Sequence, residues 1–212
     1  VLFRSLRRLP MTLDRFRSVA DRLIVPFVTG AARIGLTPNA VSTLAFVVAA
    51  AAGGAFYLAG ETPTLYLAGA VLVFVNGLLD LLDGALAREL GTASKAGDLL
   101  DHVLDRYADI VIIVGLAGGI GDWRLGIAAV TGVLMTSYLG TQAQAVGIDR
   151  VYGGLLGRAD RLVLVGLVAL VAPFITSGPG PFSVVGWLLV VFAVVGHLTA
   201  LQRFYHSMQS LA

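Results

Sequence analysis

The sequence predicts an all-α integral membrane protein, six transmembrane helices preceded by a cytoplasmic amphipathic helix. Three observations point there. Hydrophobic residues make up 57% of the 212 residues and charged ones only 13%, more apolar area than a soluble domain of this size hides from water. Six apolar stretches are each about 17–25 residues long, enough to cross a bilayer as helices. Breakers or polar turns separate these stretches, among them Glu61-Thr62-Pro63, Gly121-Asp122 and Ser177-Gly178-Pro179-Gly180-Pro181.

The chain opens Val-Leu-Phe-Arg-Ser, as a translated sequencing adapter does, and reaches its first methionine at Met11. Residues 1–10 are therefore expected to be a non-native leader. Residues 11–34 interleave Leu13, Phe16, Val19, Leu23, Ile24 and Phe27 with Arg15, Arg17, Asp21 and Arg22. This is the pattern of a juxtamembrane helix lying on the cytoplasmic surface, or of one packed on the spans with its far face in water. Residues 35–212 hold the six spans, placed at 39–59, 65–88, 97–118, 124–147, 159–176 and 183–206. Thr37 as N-cap and Pro38 at the first helical position start the first span.

The arginines orient the chain. With the N-terminus in the cytoplasm, Arg15, Arg17, Arg22, Arg33, Arg88, Lys95, Arg150, Arg158, Arg161 and Arg203 fall on the cytoplasmic side, and Arg124 alone lies in an external turn. The net charge of +2 gives no ground for a nucleic-acid partner, and with no cysteine there are neither disulfides nor thiolate metal sites.

The chemistry is concentrated in Asp80-Leu-Leu-Asp83-Gly84-Ala-Leu-Ala87-Arg88, followed after eight residues by Gly97-Asp98-Leu-Leu-Asp101-His-Val-Leu-Asp105. Asp80 and Asp83 are three apart, Asp101 and Asp105 four apart, so each pair shares a helix face. Both pairs lie at cytoplasmic span ends joined by a short turn, and can face each other at similar depth. Acids within spans are costly and need a partner. Arg88 and Arg106 cannot neutralise four of them, and a divalent cation resolves the conflict. All-oxygen ligands favour Mg²⁺, Mn²⁺ or Ca²⁺, and four carboxylates on two helices can hold two ions, as in phosphoryl transfer. Gly84, Ala87 and Gly97 leave room for a flat base and a diphosphate to approach the backbone, although small residues also serve close helix packing.

These fixed positions form the pattern D-x2-D-G-x2-A-R-x8-G-x3-D-x3-D, and the chain resembles the CDP-alcohol phosphatidyltransferase family at every one of them. The six-span layout and the Thr37-Pro38-Asn39 entry extend the resemblance over nearly the whole chain. The resemblance implies displacement of CMP from a CDP-linked lipid by the hydroxyl of a small polar alcohol such as glycerol 3-phosphate or inositol phosphate. It implies Asp80, Asp83, Asp101 and Asp105 as ligands for Mg²⁺ or Mn²⁺, two ions being expected, with Asp105 also the general base. It assigns Gly84, Ala87, Arg88 and Gly97 to the CDP site. A homodimer is expected on the same ground, while the arginine asymmetry puts the active site on the cytoplasmic side of the cell membrane.

The acceptor side is less regular. Relatives that take phosphorylated polyols often carry an Arg-Ala-Arg-Ala-Glu-like run after span four, where this chain has Gln142 and Gln144. Arg150, Arg158 and Arg161 follow on the same membrane face, as candidate anchors for an acceptor phosphate or as contacts to lipid headgroups. Two other classes share fragments of the pattern. An intramembrane prenyltransferase also uses aspartate pairs, and Asn76-x3-Asp80 is similar to one of its motifs, but it needs more spans and not the Gly84, Ala87, Arg88 and Gly97 set. A transporter would place its acids at the midplane and often carries an internal repeat, neither of which is found.

Overall fold

The computed structural model describes residues 17–148 (backbone alone for 17–23), 156–175 and 178–211. The leader assigned to residues 1–10 and the candidate anchor Arg150 lie outside the described residues. The described chain is all-helical: α1 (Arg17–Arg33), α2 (Pro38–Leu58), α3 (Leu65–Glu89), α4 (Lys95–Ile120), α5 (Trp123–Ala145), α6 (Arg158–Val171) and α7 (Val184–Leu211). Helices α2–α7 follow the expected stretches closely, with two differences. α7 runs to Leu211, and α6 has only 14 residues. At 1.5 Å per residue α6 extends about 21 Å. Ala172-Pro173-Phe174 ends it, since proline cannot supply the next backbone donor.

Helices α2, α3 and α7 are each long and apolar enough to cross a membrane. Polar residues are spread further along α4, with Asp98, Asp101, Asp105, Arg106 and Asp109, and along α5, with Thr131, Thr136, Ser137 and Gln142. One continuous core joins Ala49, Ala52 and Phe56 of α2, Val73 of α3, Ile112 and Leu116 of α4, Val133 of α5, Val165 of α6 and Phe192 of α7. Outside it, Val71, Phe74, Ile127, Leu167 and Leu201 are more than half exposed, an apolar coat that water would not tolerate and lipid does.

Helix α1 packs Ile24, Val28 and Ala31, spaced by four and three residues, against Val41 of α2 and Leu86 of α3. Val25 and Phe27 remain exposed on its other side. Its packed face is therefore turned to protein.

Backbone contact without intervening side chains fixes α2 against α4. A Cβ on Gly53 would collide with the Val111 carbonyl, one on Gly115 with the Gly53 carbonyl, and one on Gly119 with the Phe56 carbonyl. Glycine at these positions is a packing requirement. Asn76, buried in α3, donates from Nδ2 to the Ala45 carbonyl at 2.9 Å and ties α3 to the same helix. This amide faces α2.

Adjacent glycines of α2 test the seam. Gly53→Ala is expected to cost roughly 1–3 kcal/mol through overpacking against backbone. At Gly54 a methyl would have no neighbour within 4 Å, so Gly54→Ala should be tolerated and gain up to about 1 kcal/mol of helix propensity. Thermal unfolding of the purified variants in one detergent would reveal opposite shifts in Tm.

Candidate active site

The turn between α3 and α4 brings the two halves of the aspartate pattern together. Helix α3 ends in a Schellman turn: Thr92 N–H donates to the Ala87 carbonyl at 3.1 Å and Gly91 N–H to that of Arg88 at 3.3 Å. Gly91 sits at φ 62°, left-handed backbone that a side chain would strain. Ser94 then caps α4, its hydroxyl accepting from Gly97 N–H at 3.1 Å. The cap is legible in the sequence as a serine just ahead of the helix, and it sets Gly97 at the helix start with Asp101 and Asp105 one and two turns on.

Asp80, Asp101 and Asp105 each bring a carboxylate oxygen within 4.8 Å of the others. All three are partly buried. Two guanidinium groups reach them. Arg158, at the start of α6, lies 2.5 Å from Asp80 Oδ1 and 2.8 Å from Asp105 Oδ1. Arg106 lies 3.6 Å from Asp105 and 3.9 Å from Asp109, and also donates to the Ser137 hydroxyl of α5. Three carboxylates thus share two guanidiniums, one of them also shared with Asp109. Hard oxygen donors at this spacing suit a divalent cation.

Asp83 stands apart from those three. It is 6% exposed, and its Oδ2 accepts from Ser42 Oγ of α2 at 2.6 Å. Asp83 and Asp101 line a polar cleft of about 250 Å³ with Thr37, Asn39, Ser42, Ala87 and Gly97. Of the four aspartates in the pattern, three share one centre and the fourth faces this adjoining cleft. A Cβ on Gly84 would touch only an Arg88 Nη, at 3.5 Å, so packing does not demand glycine there. Gly97 is tighter, with Ser94 Oγ and Asn39 Oδ1 at 3.3 and 3.5 Å from such a Cβ.

A second opening, an apolar groove of about 540 Å³, runs between α3 and α6. Val71, Phe74, Gly77, Leu162, Gly166 and Leu170 are among its walls, and Asp80 and Arg158 lie at it too. Arg161 is turned the other way, buried and paired with Asp109 at 2.8 Å. Asp109 lies outside the aspartate pattern, and the pattern gives it no role. Its position four residues after Asp105, on the same face of α4, is the one sequence signal that it belongs with the cluster. Arg203 of α7 donates to the Thr136 carbonyl at 2.6 Å.

The family model for CDP-alcohol phosphatidyltransferases matches residues 35–199. The chain is similar to the archaetidylinositol phosphate synthase of Methanothermobacter thermautotrophicus, with 34% identity covering 94% of this chain and 95% of that protein. It also resembles the crystal structure of Mycobacterium tuberculosis phosphatidylinositol phosphate synthase with CDP-DAG bound. That likeness has a TM-score of 0.74 and 31% identity, covering 88% of this chain and 94% of the other. The same enzyme in complex with manganese and citrate gives a TM-score of 0.73 at 31% identity, covering 86% and 88% of the two chains.

The buried pair predicts a stability test. Asp109→Ala leaves Arg161 as an uncompensated buried charge and is expected to cost about 3–5 kcal/mol. The apolar double variant Asp109→Leu with Arg161→Leu should recover most of that loss, measured as Tm in the same detergent.

Proposed function

The chain belongs to the CDP-alcohol phosphatidyltransferase family, and on that footing we propose that it joins an inositol phosphate-like acceptor to the lipid-linked phosphate of a CDP-lipid. The chain is an integral membrane transferase of phospholipid synthesis that uses a CDP-linked lipid donor and releases CMP. The reading of the acceptor is supported by relatives named as inositol phosphate lipid synthases and by Arg158 beside the carboxylate centre. The observation that carries the reaction is the convergence of Asp80, Asp101 and Asp105 beside a polar cleft and an apolar groove.

In this reading Asp80, Asp83, Asp101 and Asp105 hold Mg²⁺ or Mn²⁺, two ions when full, with Ser42 orienting Asp83. Bound divalent ions would offset the diphosphate charge and stabilise CMP as it leaves. The polar cleft takes the cytidine diphosphate, against Gly84, Ala87, Arg88 and Gly97. The groove between α3 and α6 takes the lipid tails, since Asp80 and Arg158 connect its wall to the reacting centre. Asp105 accepts the proton of the acceptor hydroxyl as that oxygen bonds to the lipid-linked phosphorus. The phosphoanhydride bond breaks on the opposite side, and CMP departs with its electron pair. Arg158 holds the acceptor phosphate from the α6 side, with Arg150 and Arg161 as the further candidates. Arg161 serves more naturally by bracing α6 through Asp109.

The same reading has α2–α7 as six spans, α6 being stretched by the turn after it, and α1 at the cytoplasmic interface with Val25 and Phe27 toward lipid. It puts the site on the cytoplasmic side and pairs two copies in the membrane.

An acceptor screen decides the substrate: with CDP-lipid and Mn²⁺, CMP release should be fastest with inositol phosphate, ahead of glycerol 3-phosphate and serine. Fastest release with serine would overturn the acceptor. Asp105→Asn is expected to lower turnover by about 10²–10⁴-fold while CDP-lipid binding persists, and near-normal turnover would refute the base assignment. Gly77→Phe, filling the groove, should raise KM for a long-chain CDP-lipid far more than for a short-chain analogue. Equal effects on both would remove the groove from the donor site.

A further inference from the structure

The two arginines of the first turn of α6 make different bonds. Arg161 is pinned, buried with Asp109 as its partner at 2.8 Å. Arg158 is shared: Nη1 lies 2.5 Å from Asp80 and Nη2 2.8 Å from Asp105. The Nη1 contact is an ion pair without hydrogen-bond alignment, and the buried Nε has no partner among the described residues. The guanidinium therefore holds two carboxylates while keeping donor capacity in reserve. Those carboxylates belong to the three whose oxygens lie within 4.8 Å of one another. A guanidinium and a divalent cation cannot use the same oxygens at once, and like charges so close repel strongly.

We propose that Arg158 is a positioning residue that holds Asp80 and Asp105 in place until a divalent cation takes those oxygens, then turns its guanidinium to the acceptor's phosphate. Metal loading and acceptor binding thereby reinforce each other. Arg158 relieves the repulsion among the acids before loading, and its planar fork matches a phosphate afterwards. Arg161, fixed to Asp109, keeps α6 in place while Arg158 swings. This rests on the metal and acceptor roles proposed above. It adds the exchange of partners at Arg158 and the order it imposes: the acceptor is bound well only by the loaded site.

The test uses the full chain in nanodiscs without donor lipid, with Mn²⁺ binding followed by electron paramagnetic resonance. Arg158→Gln is expected to tighten Mn²⁺ binding by about tenfold, within the range of ordinary coupling between ligands. Arg158→Lys, which keeps a cation there, should bind close to wild type. Arg106→Gln, which removes a charge lying farther off at 3.6 Å from the other Asp105 oxygen and not reaching Asp80, should tighten it far less. In wild-type protein, Mn²⁺ should strengthen binding of inositol phosphate, and inositol phosphate should strengthen Mn²⁺ binding by the same factor, as reciprocity requires. Unchanged or weaker Mn²⁺ binding in Arg158→Gln overturns the proposal by leaving Arg158 a merely structural role, and an equal gain in Arg106→Gln overturns it by making charge alone sufficient. If Arg158→Gln does not fold, the wild-type coupling decides, and equal inositol phosphate binding with and without Mn²⁺ refutes the exchange. Failure of wild type to bind Mn²⁺ at all would sink the metal assignment and the exchange together. Normal Mn²⁺ binding without coupling sinks the exchange alone.

Discussion

Three carboxylates that bring oxygens within 4.8 Å of each other inside an apolar bundle need a counter-charge or a proton, because like charges so close cannot all stay ionised unaided. The surrounding architecture holds that arrangement together. The Schellman turn and the Ser94 cap fix the distance between α3 and α4 at one end. The α2–α4 glycine contacts and the Asn76 amide bind both helices to α2. Helix α6 brings a cation from outside the pair, and its second arginine is anchored on α4. Charge repulsion is thus contained by backbone geometry on one side and by ion pairing on the other.

The division of labour among the aspartates follows from where each helix turn points. Asp80, Asp101 and Asp105 share a centre because positions near the end of α3 and the beginning of α4 face one another across a short turn. Asp83, three residues beyond Asp80, is rotated toward α2 and meets Ser42 in the polar cleft. A single i, i+3 step therefore links the two compartments of the site. The groove on the far side of Asp80 gives the same centre an apolar approach.

Much of this is legible in local sequence signals. Hydropathy marks the helices to within a few residues, because long apolar runs between proline and glycine breakers leave little choice of boundary. The regular spacing of Asp80, Asp83, Asp101 and Asp105 indicates a common face within each pair. What stays hidden depends on contacts between distant segments. Nothing near Arg158 says that it meets Asp80, and nothing near Asp109 says that it pairs with Arg161, since 52 residues separate them. Gly53 and Gly115 look like ordinary membrane glycines in the sequence, because only the fold sets a carbonyl against each. The length of α6 is overstated by hydropathy because its apolar pattern continues through Ala172 and beyond Pro173, where the helical hydrogen bonds stop.

The glycine seam between α2 and α4 also bears on how such a protein can change over generations. The polar cleft lies between these helices and the end of α3, and the backbones touch, so few substitutions along the seam leave its register intact. The centre's other neighbours are side chains: Arg158 of α6 lies on Asp80 and Asp105, and Ser137 of α5 is tied to it through Arg106. Mutational freedom is therefore distributed unevenly. Substitutions on the α2–α4 seam act through backbone spacing, whereas those among the ion-paired side chains act through charge and hydrogen bonding.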